Sequence, residues 1–295
     1  MTKIYVPLPK KKYTDFYLEQ NIDGFFLGIE KFSINFNSYV KEEDLKDTID
    51  YIKNNNKEVY ISFNKLFLQK DVDKITKLLL KINELNVDGV IFCDAAIYEI
   101  VKENGLNINL IIDSYHVINN YKTFDFWLKK GVKKGILSTE ITINEMIEIN
   151  NKSDMKFGSY LYGYLNMVTS SRSLISNYFK HKKMTDYNNK LLMEVNDEKY
   201  PIVEENDETN IFSSKVLNGI KYFPELIENN IDFIILNDYL LDPIKFYNVI
   251  EAFTAIRRNH ADKEFLNKLD EVVKLNTEYD TYDAFLNKKT IYKVK

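Results

Sequence analysis

Short apolar segments alternate with amphipathic segments along almost the whole chain, and this alternation limits the possible folds more than any other feature. Eight apolar segments predict buried strands, at Ile4–Leu8, Gly24–Ile29, Glu58–Phe63, Asp88–Cys93, Asn107–Asp113, Lys134–Thr139, Phe157–Gly163 and Ile231–Asp238. Between and after them, helices are predicted most clearly at Glu42–Lys53, Asp71–Leu85, Ala95–Glu103, Tyr121–Lys129, Ile143–Asn150 and Pro243–Arg258. A repeated strand–helix order is typical of a parallel sheet covered by helices.

Eight such units predict an α/β fold in which the strands close into a (β/α)8 barrel of the triosephosphate-isomerase (TIM) type. An open, doubly wound sheet is the alternative. The nucleotide-binding version of that fold needs a glycine-rich loop after its first strand, and the segment after Leu8 has none. The barrel is therefore the preferred prediction, and any site is expected at the carboxyl ends of its strands.

One long insertion interrupts the alternation between the seventh and eighth strands, at residues 164–230. Inside it, Leu191–Val195 and Tyr200–Glu204 flank a turn-forming Asn-Asp pair and predict a β-hairpin, and Lys215–Asn229 is expected to be the seventh helix. We predict a barrel domain over residues 1–260 that includes this insertion. A C-terminal extension, residues 261–295, follows with a helical pattern and a strand-like end at Thr290–Lys295.

Composition excludes several classes of protein. The chain is 45% hydrophobic and 28% charged, which is typical of a globular protein, and its net charge of -4 argues against a general polyanion binder. Its single cysteine, Cys93, cannot form an intrachain disulfide or a four-cysteine cluster site, and the three histidines have no metal-ligand spacing. No segment has the apolar length of a signal peptide or a membrane span, so we expect a cytoplasmic protein without a membrane partner.

Polar residues at the strand ends are the first candidates for a site; they are Glu30, Asn64, Asp94, Asp113, Glu140, Tyr162 and Asp238. Converging carboxylates could act as general acid and base or bind a cation. The alternative is that each acid caps the helix that follows it, as Asp242 is predicted to cap the last helix.

The segment Thr169–Ser173 places Arg172 among four hydroxyl side chains at a predicted helix start. This arrangement suits a carboxylate or phosphate ligand, and the alternative is a serine-capped helix whose arginine pairs with an acid. A serine nucleophile is disfavoured because no GxSxG motif surrounds Ser170, Ser171 or Ser173. Three lysine-rich runs, Lys10–Lys12, Lys180–Lys183 and Lys288–Lys295, could contact a phosphate backbone or could be ordinary solvated surface.

Several segments resemble the peptidase U32 family, the collagenase-like group of barrel proteins. The residues 21–28, 87–91, 137–143 and 284–294 are similar to family segments, and residues 161–178, LYGYLNMVTSSRSLISNY, fit the family signature without a gap. The resemblance implies a barrel over nearly the whole chain. It also implies that Glu140 and Arg172 occupy matched positions.

Departures from the family pattern are equally informative. The two cysteines of the signature fall on Asn166 and Ser173, and its histidine falls on Tyr162. An acid of the family's seventh strand falls on Gly158, and an arginine falls on Thr139. The family's later cysteine segment has no counterpart after Asn177. Family members with those cysteines are implicated in hydroxylation of tRNA uridine or ubiquinone precursors and use an iron–sulfur cluster. The resemblance implies that this chain carries no such cofactor and resembles cysteine-poor partners of a second family member.

Three functional hypotheses follow from the resemblance. The first is a cluster-less subunit of a tRNA uridine hydroxylation system, with a second U32 subunit and tRNA as partners. In this hypothesis Arg172 holds a carboxylate or phosphate, with Glu140 beside it. Further substrate contacts come from Ser170, Ser173, Tyr162 and Asn64. The tail with Tyr292 contacts RNA. The second is a collagenase-like protease, with Asp113 and Glu140 as catalytic acids and a divalent metal as its only conceivable cofactor. The third is a non-catalytic scaffold.

Overall fold

The computed structural model describes residues 1–113, 118–185, 187–258 and 262–288. Its strands are β1 Lys3–Pro7, β2 Gly24–Ile29, β3 Tyr39–Val40, β4 Glu58–Phe63, β5 Gly89–Phe92, β6 Leu110–Asp113, β7 Lys134–Ile136, β8 Lys156–Ser170, β9 Lys190–Val195, β10 Glu198–Glu205, β11 Glu208–Asn218, β12 Phe233–Leu236 and β13 Thr281–Tyr282. Its α-helices are α1 Lys11–Leu18, α2 Leu45–Asn54, α3 Val72–Asn83, α4 Ala95–Glu103, α5 Tyr121–Lys129, α6 Ile143–Lys152, α7 Leu174–His181, α8 Phe223–Glu228, α9 Pro243–Arg258 and α10 Lys263–Leu275.

Eight parallel strands form a closed barrel in the order β1-β2-β4-β5-β6-β7-β8-β12. Closure rests on two parallel pairings of β12, which places Ile234 beside Ile4 of β1 and Phe233 beside Gly158 of β8. Because both edges are paired, the barrel sheet has no exposed edge. The predicted TIM-type barrel is therefore confirmed.

The apolar residues separate into two layers. A small cluster inside the barrel consists of Tyr5, Phe26, Phe36, Tyr60, Ile91, Ile111, Ile136, Phe233 and Ile235. A larger cluster lies between the strands and the surrounding helices. Strand residues alternate between these layers, for example Ile234 outside and Ile235 inside, which is the period-two pattern of a strand buried on both faces.

The insertion builds an antiparallel extension of the barrel sheet. β8 continues beyond the barrel to Ser170 and pairs with β11. β11 pairs with β10, and β10 pairs with β9. Two-residue turns at Asn196–Asp197 and Asn206–Asp207 have positive φ at both positions, from 51° to 66°, as hairpins of this type require. The predicted hairpin is confirmed, and a third strand, β11, was not predicted.

The predicted seventh helix over Lys215–Asn229 is wrong in its first half. Lys215 lies in β11, and the helix α8 begins only at Phe223, after a 3-10 turn at Ile220–Tyr222. The apolar residues Val216 and Leu217 are buried by pairing with β8 and β13 instead of by a helical face. By contrast, helices α4, α5 and α9 begin and end where the sequence predicts, and Asp242 accepts hydrogen bonds from the amides of Ile244 and Lys245 as the predicted cap.

The described part of the C-terminal extension packs on the barrel domain. β13 pairs with β11, and the Ile143 amide donates to the Leu286 carbonyl. The domain boundary at residue 260 stays a prediction, and the strand-like end at Thr290–Lys295 lies outside the described residues. Among the helices of the described ranges, none combines the length and the apolar character that crossing a membrane requires.

Candidate functional site

A cleft opens at the mouth of the barrel, where the carboxyl ends of the parallel strands meet. The cleft is open to solvent on one side. The polar residues in its walls are Asn35, Ser62, Asn64, Asp113, Thr139, Tyr160, Asn166 and Asn237, and aromatic and aliphatic side chains fill the remainder. Because ligands of this fold bind at this rim, the cleft is the candidate site.

Asp113 and Tyr160 form the charged part of the cleft. Asp113 ends β6 and is 2% exposed, and Tyr160, on β8, donates its hydroxyl to Asp113 Oδ2 at 2.9 Å. Both carboxylate oxygens are hydrogen-bond acceptors, so Asp113 suits a ligand hydroxyl or N–H group. Asp113 thus lies where its strand-end position predicts, and its catalytic role stays a prediction.

Asn64 holds a loop in place and thereby presents its neighbour to the cleft. Its amide accepts from the Ile34 N–H at 3.0 Å and donates to the Ile34 carbonyl at 2.9 Å. Asn35, the residue after Ile34, has a left-handed backbone with φ of 66° and lines the cleft. Asn35 Oδ1 is buried without a hydrogen-bond partner among the described residues. A ligand donor could satisfy this oxygen, because buried polar atoms are nearly always bonded.

Asn166 is the second amide of this kind. Its Nδ2 donates to Thr169 Oγ1 at 3.0 Å and to Asn210 Oδ1 at 2.9 Å. Its Oδ1 has no partner within the described ranges, and neither has Asn210 Nδ2. The cleft therefore contains an amide and hydroxyl network, which suits hydrogen-bonded recognition of a polar ligand.

The turn of the β10–β11 hairpin folds back over the barrel. Asn206 Nδ2 donates to the Ser33 carbonyl at 2.9 Å, Glu205 accepts from the Asn35 amide and the Tyr239 hydroxyl, and Glu208 Oε1 accepts from the Leu66 amide at 2.9 Å. The insertion thus reaches the loops that follow β2 and β4, and it fixes the backbone of cleft residue Asn35.

Burial raises the pKa values of two acids near this rim. Glu208 and Asp238 are each about 1% exposed, and desolvation raises the pKa of each to about 7. Among the described residues, neither oxygen of the Asp238 carboxylate has a hydrogen-bond partner. Of the two Glu208 oxygens, only Oε1 has one. The neutral form of each acid is therefore the form that the folded state favours.

Stability is expected to fall between pH 5 and pH 8. Since the folded pKa of each acid exceeds its unfolded value, the native state binds more protons in this window, and rising pH lowers the free energy of unfolding. Each acid contributes a loss on the order of 3 kcal/mol. Urea unfolding at both pH values should show a smaller pH dependence for Asp238→Asn and Glu208→Gln. An unchanged pH dependence in both variants would contradict the assignment.

Tyr162 does not reach the cleft, and its prediction as a substrate contact is corrected. Its side chain is 1% exposed and lies outside the barrel, stacked on Phe246 at 5.7 Å and hydrogen-bonded to Thr277 Oγ1 at 2.9 Å. The pairing of β8 with β12 shifts register between Ile235 and Leu236, so that Tyr162 pairs with outward-facing Leu236. Because of this irregularity, the Tyr162 side chain points away from the barrel interior, although Gly158 and Tyr160 of the same strand face it.

Ser170, Arg172 and Ser173 are not among the residues that line the cleft. Ser170 ends β8, Arg172 is exposed, and Ser173 precedes α7 without a side-chain capping bond. Ser170 pairs with Thr209, next to the hairpin turn at residues 206–207 that contacts the loop after β2. No carboxylate of the described ranges pairs with the Arg172 guanidinium. The structure therefore does not place these residues in the cleft wall with Asp113 and Asn64.

Glu140 is exposed and lies just outside the cleft wall. Its amide donates to Ser138 Oγ at 3.1 Å, and the preceding residue, Thr139, is the one that lines the cleft. Glu140 and Arg172 are thus not among the residues that line the cleft with Asp113. The roles assigned to Glu140 and Arg172 stay predictions.

Other rim residues match the alternative, structural readings. Asp94 accepts from the Ala96 amide and caps α4, while Glu30 is exposed after β2. Burial raises the pKa of the Cys93 thiol well above its usual range, which disfavours the reactive thiolate. Among the described residues, no three His, Cys, Asp or Glu side chains are grouped closely enough to hold a metal ion.

Gly158 explains what fills the barrel interior below the cleft. A Cβ placed on Gly158 would lie 2.1 Å from Cε2 of Phe233. Phe233 is fully buried and contacts Tyr5 with a ring-centroid distance of 5.3 Å. An aromatic ring therefore occupies the space into which an acid side chain would extend.

Sequence reasoning missed Tyr160, Asn35, Asn166, Asn237, Glu205 and Glu208. Tyr160 could have been found, because it lies two residues after Gly158 on the same face of β8. Asn35, Glu205 and Glu208 reach the rim through loop and hairpin geometry. Strand-end positions do not encode that geometry.

Comparison with protein-family models gives one match: the model described as Peptidase family U32 matches residues 11–292. A relative from Bacillus subtilis (strain 168), named tRNA hydroxylation protein P2, is 24% identical over 93% of this chain and 94% of its own length. A second protein of that organism, tRNA hydroxylation protein P1, is 23% identical over 86% of this chain and 64% of its own length.

Two further similarities extend this picture. An uncharacterized protease of Methanocaldococcus jannaschii is 28% identical over 90% of this chain and 68% of its own length. The solved structure of a U32 peptidase covers 80% of this chain and 92% of its own, with a TM-score of 0.52 and 12% sequence identity. At that identity the structural match supports the barrel fold alone.

Proposed function

This chain belongs to peptidase family U32, and from that we propose that it is a cluster-less, substrate-binding subunit of a system that hydroxylates tRNA. The observation that carries the proposal is the cleft itself. Amides and a hydroxyl-bonded carboxylate line it, and Asn166 stands where the family has a cysteine. Such groups recognise a polar ligand by hydrogen bonds.

Chain length supports the division of labour between two subunits. The chain spans 94% of the relative named P2 but only 64% of the relative named P1, and both names refer to tRNA hydroxylation in one organism. We propose that this chain corresponds to the shorter of two cooperating family members. The second member would supply the cysteines, since this chain has only Cys93.

The cleft has the groups to orient a nucleoside-sized ligand. Asp113 can accept from a hydroxyl or imide N–H, and Asn35 and Asn166 offer amide oxygens without partners among the described residues. Phe36 and Tyr164 provide aromatic surface in the same walls. In this proposal the residues of the chain bind and orient the ligand, and the redox chemistry belongs to the partner.

Purification from the native cells tests this function. A tagged chain is expected to bring down a second U32 member and tRNA, identified by mass spectrometry and sequencing. A parallel sample treated with ribonuclease separates direct protein association from association through RNA. A chain that is recovered alone, without a second family member and without tRNA, would contradict the proposal.

The protease and scaffold hypotheses have no specific observation in their favour. One relative carries the word protease in its name, but Asp113 and Glu140 do not lie in one cleft wall, and Ser170 is a paired residue of β8. Hydrolysis of gelatin by the purified chain would reopen the protease hypothesis.

A further inference from the structure

The helix α7 and the turn after it carry a concentration of positive charge. Residues 172–187 contain the four basic residues Arg172, Lys180, Lys182 and Lys183 and the single acid Asp186, in a chain whose net charge is -4. The four basic residues are exposed. Some lysines elsewhere are paired, as in Lys53–Asp88 at 2.8 Å and Lys134–Asp232 at 3.5 Å. None of these four pairs with a carboxylate of the described residues.

Exposed aromatic rings lie among these cations. The Tyr178 side chain is 57% exposed, and Lys182 Nζ lies 5.9 Å from its ring centroid. Phe179 stacks on Tyr187 with a centroid distance of 4.8 Å and an interplanar angle of 9°, and Tyr187 is 38% exposed. Proteins that bind single-stranded nucleic acid use exposed aromatic side chains to stack bases.

The helix is fixed to the insertion sheet, so these groups are presented in a defined arrangement. The buried carboxylate of Glu204 accepts from the amide and the hydroxyl of Ser176, and Thr209 Oγ1 accepts from the Leu174 amide at 3.0 Å. An open groove beside the helix is lined by Ser176, Asn177, Lys180, Lys183 and Tyr187, among others. Preorganised binding groups lose less conformational entropy when a ligand binds.

We propose that Arg172, Tyr178, Lys180, Lys182, Lys183 and Tyr187, the α7 surface, bind an unpaired segment of RNA. The basic side chains contact phosphates, and Tyr178 stacks on a base. The combination of unpaired cations with exposed rings favours RNA over an acidic protein, which would use the cations alone. β8 connects this surface to Asn166 in the cleft, so one RNA could contact both. The choice of RNA rests on the proposed function.

Direct binding measurements test the α7 surface. Purified protein is titrated with an unmodified tRNA transcript over a series of salt concentrations. For Lys180→Ala/Lys182→Ala/Lys183→Ala we expect affinity to fall at least about 10-fold and the slope of log affinity against log salt to flatten by about 2. Tyr178→Ala is expected to weaken binding about fivefold or more at an unchanged slope. The matched control is Lys70→Ala/Lys74→Ala/Lys77→Ala, three exposed lysines at α3, which should change little.

Three outcomes would overturn the inference. They are equal losses from the control triple variant, an unchanged affinity in the α7 triple variant, and equally tight binding of polyglutamate to the wild-type chain. Failure of the proposed function can be distinguished from failure of this inference. A chain that binds tRNA through α7 but recovers no second family member from cells keeps this inference and loses that function. A chain that recovers the second family member but shows no α7-dependent RNA binding keeps the proposed function and loses this inference.

Discussion

Gly158→Ala is expected to destabilise the barrel by about 3 kcal/mol or more. The new Cβ would lie 2.1 to 2.3 Å from three ring atoms of Phe233, which is fully buried against Tyr5 where the barrel closes. Tyr5 in turn contacts Phe26 and Tyr60, so the Phe233 ring belongs to a packed aromatic cluster inside the barrel. Urea denaturation monitored by circular dichroism measures this loss.

A double-mutant cycle provides the control for this prediction. Phe233→Leu removes ring atoms that would collide with the new Cβ, so Gly158→Ala should cost much less in the Phe233→Leu background than in the wild type. Additive effects of the two substitutions would show that the ring does not determine the need for glycine. Gly158→Glu, which restores the family's acid type, should be worse than Gly158→Ala in both backgrounds.

Asp113→Asn is expected to lower tRNA hydroxylation in complemented cells by about 10-fold to 100-fold, while the fold is retained. The substitution keeps the shape of a side chain that is 2% exposed but removes a charged acceptor, and hydrogen bonds to charged groups contribute about 1.5–3 kcal/mol. Tyr160→Phe should have a smaller effect in the same direction, because it removes only the hydroxyl that positions Asp113 at 2.9 Å. Mass spectrometry of tRNA nucleosides measures both.

Asp73→Asn is the matched control, since Asp73 is an exposed acid on α3 outside the cleft. It should leave hydroxylation within about twofold of the wild type, because an exposed side chain contributes little to stability or binding elsewhere. Wild-type hydroxylation in a folded Asp113→Asn variant would remove Asp113 from the site.

The sequence predicted the barrel because its strands and helices each have a local signal. Ala95–Glu103 has amphipathic spacing and Asp94 as its cap, and the structure begins and ends α4 at those residues. Lys215 shows the limit of this reasoning. Val216 and Leu217 fit a helical pattern, but they lie in a strand because β8 extends past the barrel and pairs with them. Tertiary pairing of this kind overrides local preference.

The candidate site was predictable where strand ends alone define it. Asp113 and Asn64 lie in the cleft because they end or follow barrel strands. Tyr162 fails for a specific reason, since an irregular pairing of β8 with β12 turns it outward. Glu205 and Asn206 reach the rim only because a tight turn at residues 206–207 aims the hairpin at Ser33 and Asn35. Such long-range contacts have no counterpart in the local sequence pattern.

Nucleoside analysis of a deletion strain tests the central claim most directly. Total tRNA from wild-type cells, from cells lacking this gene and from complemented cells is digested and analysed for hydroxylated uridine by mass spectrometry. A substrate-binding subunit predicts that this nucleoside is lost or strongly reduced on deletion and is restored by the wild-type gene but not by the Asp113→Asn variant. An unchanged level of hydroxylated uridine in the deletion strain would contradict the account.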